Sequence, residues 1–229
     1  MTTLMNVYVN TVRNACRIGD DARRRSEARR TIKLFLASNA TTPVSDSMVP
    51  DYLINDNMVD RFFGIEPPQF RSTTEFDMII EEIERAYVLG LFFSALSSSV
   101  VVIERLLNTA RMELHKLVPN KKKRLWGKGP TNDWQPNIDA LLEWQYLSTD
   151  LAQELSELYD VRCRYLHSGN ASGVVVDSLR AVIAAYRLLG EIIGFPPRLF
   201  QYGNFGIECL DYNDPLVRVF YSPIIVNGS

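Results

Sequence analysis

The stretch LYDVRCRYLHSG, residues 158–169, sets Arg162 five positions before His167, one of two histidines in the chain. Histidine titrates near neutrality, so it can take or give a proton. Arginine keeps its charge and presents a planar fork that matches phosphate oxygens. On a regular helix, five residues carry the chain about 140° past a full turn, so the two side chains do not share a face. His167 must therefore sit at a loosened helix end. Gly169, able to take left-handed angles, supplies that end, and the long arginine stem can swing its fork round to meet the imidazole. Spacing alone is weakly specific in an arginine-rich chain. A histidine at a helix C-terminus also meets the negative end of the helix dipole favourably, which is a purely structural use.

Neighbours of the pair extend the candidate site. Asp160 can orient Arg162 as a carboxylate partner, and Arg164 and Tyr165 can touch phosphate or stack a base. Each of the three also reads as an ordinary surface or packing residue. Cys163 follows Arg162 directly and hydrogen-bonds only weakly. A second feature is the loop PNKKKRLWGKGPTNDWQP, residues 119–136. Lys121, Lys122, Lys123, Arg124 and Lys128 can hold a phosphate backbone, and Trp126 or Trp134 can stack a base. The alternative is a solubilising loop with its tryptophans tucked into the core. His115, four residues after Arg111, reads as structural or peripheral. No carboxylate cluster suggests a metal, and no cofactor is implied.

The elements that must carry these groups read as helices. From Thr73 the stretch FDMIIEEIERAYVLGLFFSALSSSVVVIERLLNTARMELHKLV keeps helical apolar spacing for too long to be one ordinary helix. The spacing predicts a break near Gly90 or at the serines 97–99, and STTEF offers a cap with Glu75 in the first turn. Residues 87–103 approach membrane-spanning length, but their serines and tight charged flanks favour a buried bundle helix. Beyond the basic loop, residues 137–169 return to helix, with Ser148 as a cap between two pieces. VVVDSLRAVIAAYRLLGEIIG is another amphipathic helix, ended by Gly194. The tail alternates in LVRVFYSPIIV, which predicts a hairpin or an extended segment packed on the bundle.

Upstream, residues 1 to about 37 read as helical. The Arg23, Arg24, Arg25, Arg29 and Arg30 run reads as a solvated face paired with Asp20, Asp21 and Glu27, with phosphate binding as the other use. Residues 38–72 are rich in Pro, Ser, Thr and Asn and read as linker. The expected organisation is a helical appendage and linker (1–72), an all-α up-down bundle of four to five helices (73–195) and a short tail with β character (196–229).

Bulk properties fit this reading. The chain has 229 residues, is 46% hydrophobic and 23% charged, and carries a formal net charge of -2. Contact with nucleic acid must therefore come from local basic patches rather than a global field. Cys16, Cys163 and Cys209 are odd in number and lack a CxxC pair, which argues against a disulfide scaffold or zinc ribbon and suits a reducing cytoplasm. The N-terminal residues lack the basic lead and long apolar run of a signal peptide.

Four stretches together resemble the HEPN superfamily of nucleotide-binding helical bundles. AYVLGLFFSALSSSVVVIERLLN resembles its long second helix, and residues 137–169 its third helix and the helix carrying the motif. LYDVRCRYLHSG resembles its Arg-x4-6-His signature, often followed by Gly as in bacterial anti-phage members. VDSLRAVIAAYRLLGEII resembles its closing helix. The resemblance covers about half the chain. It departs at Cys163, where the family usually carries Asn, Asp or His, and this makes the cleft less polar.

The resemblance implies a metal-independent endoribonuclease in bacterial defence or a toxin-like role. It implies a homodimer in which two Arg162–His167 pairs face one cleft, with RNA as substrate. The 2'-hydroxyl would attack the phosphate, leaving a 2',3'-cyclic phosphate and a 5'-hydroxyl. Some bundles of this family bind a nucleotide or a regulatory protein partner without cutting, and a purely structural oligomerisation domain is a third reading.

Overall fold

The computed structural model describes residues 7–9, 20–38, 49–68, 70–72, 74–119, 129–167, 172–203 and 206–221. Its centre is the long stretch of helical spacing, and it breaks at Gly90. Helix α3 (Asp77–Leu89) ends and α4 (Phe92–His115) begins there. Gly90 has φ +83°, its amide donates to Tyr87 O at 3.0 Å, and the Leu91 amide donates to Ala86 O at 2.8 Å. These are the two bonds of a Schellman stop, which needs a left-handed residue that glycine supplies without a Cβ penalty. The serines do not break α4. Ser99 is buried and its hydroxyl donates to Ala95 O at 2.8 Å, so the helix satisfies it internally. Helix α3 starts at Asp77, two residues later than Glu75. The Thr74 amide donates to Asp77 Oδ1 at 3.3 Å and the Phe76 amide to Thr74 Oγ1 at 3.3 Å.

The buried face of α4 carries Leu96, Val102, Ile103, Leu106, Leu107 and Leu114 at three- and four-residue steps. Truncating any such leucine to alanine costs about 2–5 kcal/mol. Helices α5 (Gln135–Glu143), α6 (Thr149–His167) and α7 (Val174–Ile193) complete the bundle. Glu75, just before α3, lines one groove with Asn108 and Met112 of α4, so the two helices run antiparallel. The cap at Ser148 forms: its hydroxyl accepts from the Leu151 amide at 3.4 Å and also meets Glu191, near the end of α7, at 2.6 Å. Arg187 then pairs with Glu154 and Arg180 with Glu157, closing an antiparallel seam between α6 and α7. Among the described residues, no helix is long and apolar enough to cross a membrane.

The N-terminal segment is not helical throughout. Val7–Val9 form a strand, β1, paired antiparallel with β2 (Phe70–Ser72) in the register Val7–Ser72 and Val9–Phe70. Val-Tyr-Val has the branched and aromatic types that favour strands over helix. Helices α1 (Asp21–Ser38) and α2 (Asp56–Gly64) follow. The α1 arginines pair mainly across to the next segment rather than within α1. Arg25 and Arg29 reach Asp56 at 3.2 and 2.8 Å, and Arg25 also reaches Asp60; Arg24 keeps a pair with Asp21, at 3.6 Å. Two helices packed side by side bring the arginines' long arms nearer to the neighbour's carboxylates. Ala28, Ile32, Val59 and Phe62 join the same hydrophobic core as the bundle, so the change in composition near residue 72 does not interrupt the core.

In the tail, the hairpin lies earlier than the alternating stretch. Strands β3 (Phe200–Gly203) and β4 (Gly206–Cys209) pair antiparallel, whereas Val217–Tyr221 form a π-helical turn. Burial explains the turn. The Tyr221 hydroxyl donates to Ile192 O at 3.0 Å and accepts from the Phe195 amide at 3.2 Å, while its ring packs on Phe195 and Phe200.

Candidate functional site

Helix α6 delivers Arg162 toward α4. A terminal nitrogen of its fork lies 2.8 Å from Glu104 Oε2, and the two side chains are only 17% and 25% exposed. The guanidinium carbon sits 5.9 Å from the centre of the Trp134 ring and 5.7 Å from that of Tyr159. The same Glu104 oxygen accepts the Trp134 indole N–H at 3.2 Å. Arg162 is thus seated on two rings and steered by one carboxylate. Its other nitrogens hydrogen-bond none of the described residues. Burial first, then the neighbouring Cys163 and Asp133, push the Tyr159 hydroxyl above its ordinary pKa.

Trp134 holds its place because the chain before it is tied to α4. Arg111, only 2% exposed, gives its fork to Asn137 Oδ1 and Gly129 O. Loss of solvent lowers its pKa from the ordinary value. Asn108 donates to Thr131 O at 2.9 Å and accepts from the Thr131 amide at 2.9 Å. The Asp133 carboxylate then accepts from the Gln135 amide at 3.0 Å and starts α5. Trp134 is fully buried, so it belongs to the core and offers no face to a base. His115 ends α4 with its ring 6.3 Å from that of Trp144, in keeping with a structural place.

In front of Arg162 opens a groove of about 380 Å³. Phe93, Leu96, Val100 and Val101 of α4 form its apolar wall, and Glu104, Arg162 and Tyr165 its polar rim. The Tyr165 hydroxyl donates to Asp177 Oδ2 at 2.8 Å and lies 3.1 Å from Ser172 O. Burial and then Asp177 push its pKa upward. Arg164 pairs with the same Asp177 oxygen at 3.1 Å. Arg164 and Tyr165 therefore brace the joint between α6 and α7, and the charge of Arg164 is already matched.

Asp160 is exposed and does not hold Arg162; Glu104 does. Two residues apart on a helix means about 200° of rotation, which turns Asp160 away from Arg162. Cys163 is a half-buried free thiol beside Tyr159. His167 is the last residue of α6; its side chain lies outside the described residues, as do Gly169 and the loop residues Lys121, Lys122, Lys123, Arg124, Trp126 and Lys128. Among the described residues, no group of three or more His, Cys, Asp or Glu could hold a metal ion.

Glu104 is the member of the site that spacing does not single out. Its one signal is an acid set between the core positions Ile103 and Leu107, where a helix otherwise turns an apolar face inward. No protein family model matches the chain, and neither a curated protein nor a solved structure matches it significantly.

Proposed function

We propose that the protein is a metal-independent endoribonuclease of HEPN type, acting on RNA as a cytoplasmic homodimer in bacterial defence or a toxin-like role. The observation that supports this most directly is Arg162 itself. One arm of its fork is fixed by Glu104 at the rim of an open groove, and the remaining N–H groups are uncommitted among the described residues. A guanidinium held that way can take a phosphate oxygen without first reorganising, which is where charge-stabilising groups gain their effect.

In this reading His167 takes the proton from the 2'-hydroxyl as its oxygen bonds to phosphorus. The P–O5' bond breaks, and a proton goes to the departing 5'-oxygen, by way of the same imidazole or that of the partner copy. Arg162 bears the charge on the phosphorane. The products are a 2',3'-cyclic phosphate and a 5'-hydroxyl.

The test is incubation of the purified chain with end-labelled RNA in excess chelator, beside Arg162→Ala and His167→Ala. Cleavage lost in both variants, with products of that end chemistry, is the expected result. A second reading has its own support. The groove wall is apolar and Glu104 already balances the charge of Arg162, which suits a bundle that binds a nucleotide or a protein partner without cutting. A folded wild-type chain that cuts no RNA would favour it.

A further inference from the structure

A second groove, of about 320 Å³, runs on from the first along α4. The two share Glu104 and Arg105. One step along a helix is about 100° of rotation. Glu104 therefore turns to Arg162, while Arg105 leaves α4 to the side and stands on the ridge between the grooves. Arg105 is exposed and makes no hydrogen bond or ion pair among the described residues. In this it differs from its neighbours: Arg162 is on Glu104, Arg164 on Asp177, and Arg111 on Asn137 and Gly129.

The second groove is more polar than the first, although Met112 and Pro130 also line it. Thr109, Thr131 and Asn132 line it, and Glu75 forms its acidic far edge. Its floor is rigid, because Asn108 spends both ends of its amide on residue 131. Pro130 and Thr131 complete its lining. Alongside α4 the surfaces therefore run from a fixed arginine, Arg162, to one unpaired among the described residues, Arg105, and then to a floor of Asn108, Thr109 and Thr131.

We infer that this second groove is the track of a single-stranded RNA beside the scissile phosphate, with Arg105 as the contact for a flanking phosphate. The inference rests on the ribonuclease reading for the identity of the strand, and it assigns the binding contribution of Arg105 separately from the chemistry at Arg162. A free arginine on a polar ridge reads backbone rather than base, so the contact is indifferent to sequence and sensitive to salt. Glu75 on the opposite edge keeps the strand to the Arg105 side.

The test measures binding rather than cleavage. A fluorescent single-stranded RNA blocked at every 2'-oxygen by methylation cannot be cut, and its anisotropy is titrated in chelator with the full chain over a range of salt. Arg105→Ala is expected to weaken binding about tenfold and to reduce the salt slope by about one. Arg105→Lys keeps most of the affinity, and Arg218→Ala, an exposed arginine on the tail's π turn, binds like wild type. Arg105→Ala binding with wild-type affinity and slope overturns the track, whatever the cleavage assay gives. A wild-type chain that binds no RNA overturns it as well. If Arg105→Ala weakens binding while the wild type cuts nothing, the track stands and the ribonuclease reading alone falls.

Discussion

A single oxygen of Glu104 meets both Arg162, at 2.8 Å, and the indole N–H of Trp134, at 3.2 Å. Through that atom the fully buried ring of the site and the part-buried cation at its rim share one anchor. Glu104→Ala would leave a part-buried N–H unpaired and a guanidinium without its carboxylate, at a cost of roughly 1–3 kcal/mol. For a chain of this size that lowers the melting temperature by about 2–4 °C per kcal/mol. Glu104→Gln keeps an acceptor and should melt closer to wild type. Thermal melts of the two variants check the order.

Arg162→Lys separates charge from geometry. Lysine can still reach toward Glu104, but it is a point charge and loses the fork. If Arg162 stabilises a phosphorane, single-turnover cleavage should fall by about 10²-fold, the scale on which losing one charge-stabilising donor acts. The melting temperature should stay within a few degrees of wild type. A lysine variant that cuts like wild type would remove Arg162 from the chemistry.

Much of the bundle could be read from the chain, because its signals are local. Gly90 stops a helix for a reason that lies in its own backbone, and Ser148 caps one with its own hydroxyl. Spacing from His167 singles out Arg162, but the His167 side chain lies outside the described residues. What escaped was pairing across the sequence. Helical rotation by itself turns Asp160 away from Arg162, but that Glu104 takes its place depends on how α4 and α6 pack. The same holds for the α1 arginines, whose partners Asp56 and Asp60 belong to the next helix. The strand Val7–Val9 was hidden for a similar reason, since a three-residue strand exists only through its partner, residues 70–72. The π turn at Val217–Tyr221 is decided by the buried hydroxyl of Tyr221, which alternation along the tail does not reveal.

Arg111 gives a prediction independent of function. It is almost fully buried and serves Asn137 and the carbonyl of Gly129 at once. Arg111→Ala removes both bonds, opens a cavity and frees the chain that positions Trp134. The expected loss is about 3–5 kcal/mol, at the upper end for a single substitution. Arg111→Met fills most of the volume and should recover the packing part of that loss, while Asn137 Oδ1 and Gly129 O still lose their donor. Midpoints of chemical denaturation give both values.

The α6–α7 seam carries a pH dependence whose sign is fixed by one carboxylate. The hydrogen bond from Arg180, with a second from Gln153 and the charge of Arg180 behind it, holds Glu157 below its ordinary value of 4.5. A carboxyl group whose pKa is lower in the folded state binds fewer protons there than in the unfolded chain. Its stabilisation is complete above the ordinary value and disappears as the pH falls through the lower folded one. Arg180→Gln should therefore be less stable than wild type near neutrality, and the gap should close in acid, once the pH has fallen below the lowered folded-state value and Glu157 is protonated in both states. Because the pair is exposed to solvent, salt should narrow the gap at neutral pH too. Denaturation curves of the two proteins near neutrality and in acid decide it: an unchanged gap would mean that Arg180 stabilises the seam through its packing, and that the ion pair contributes nothing.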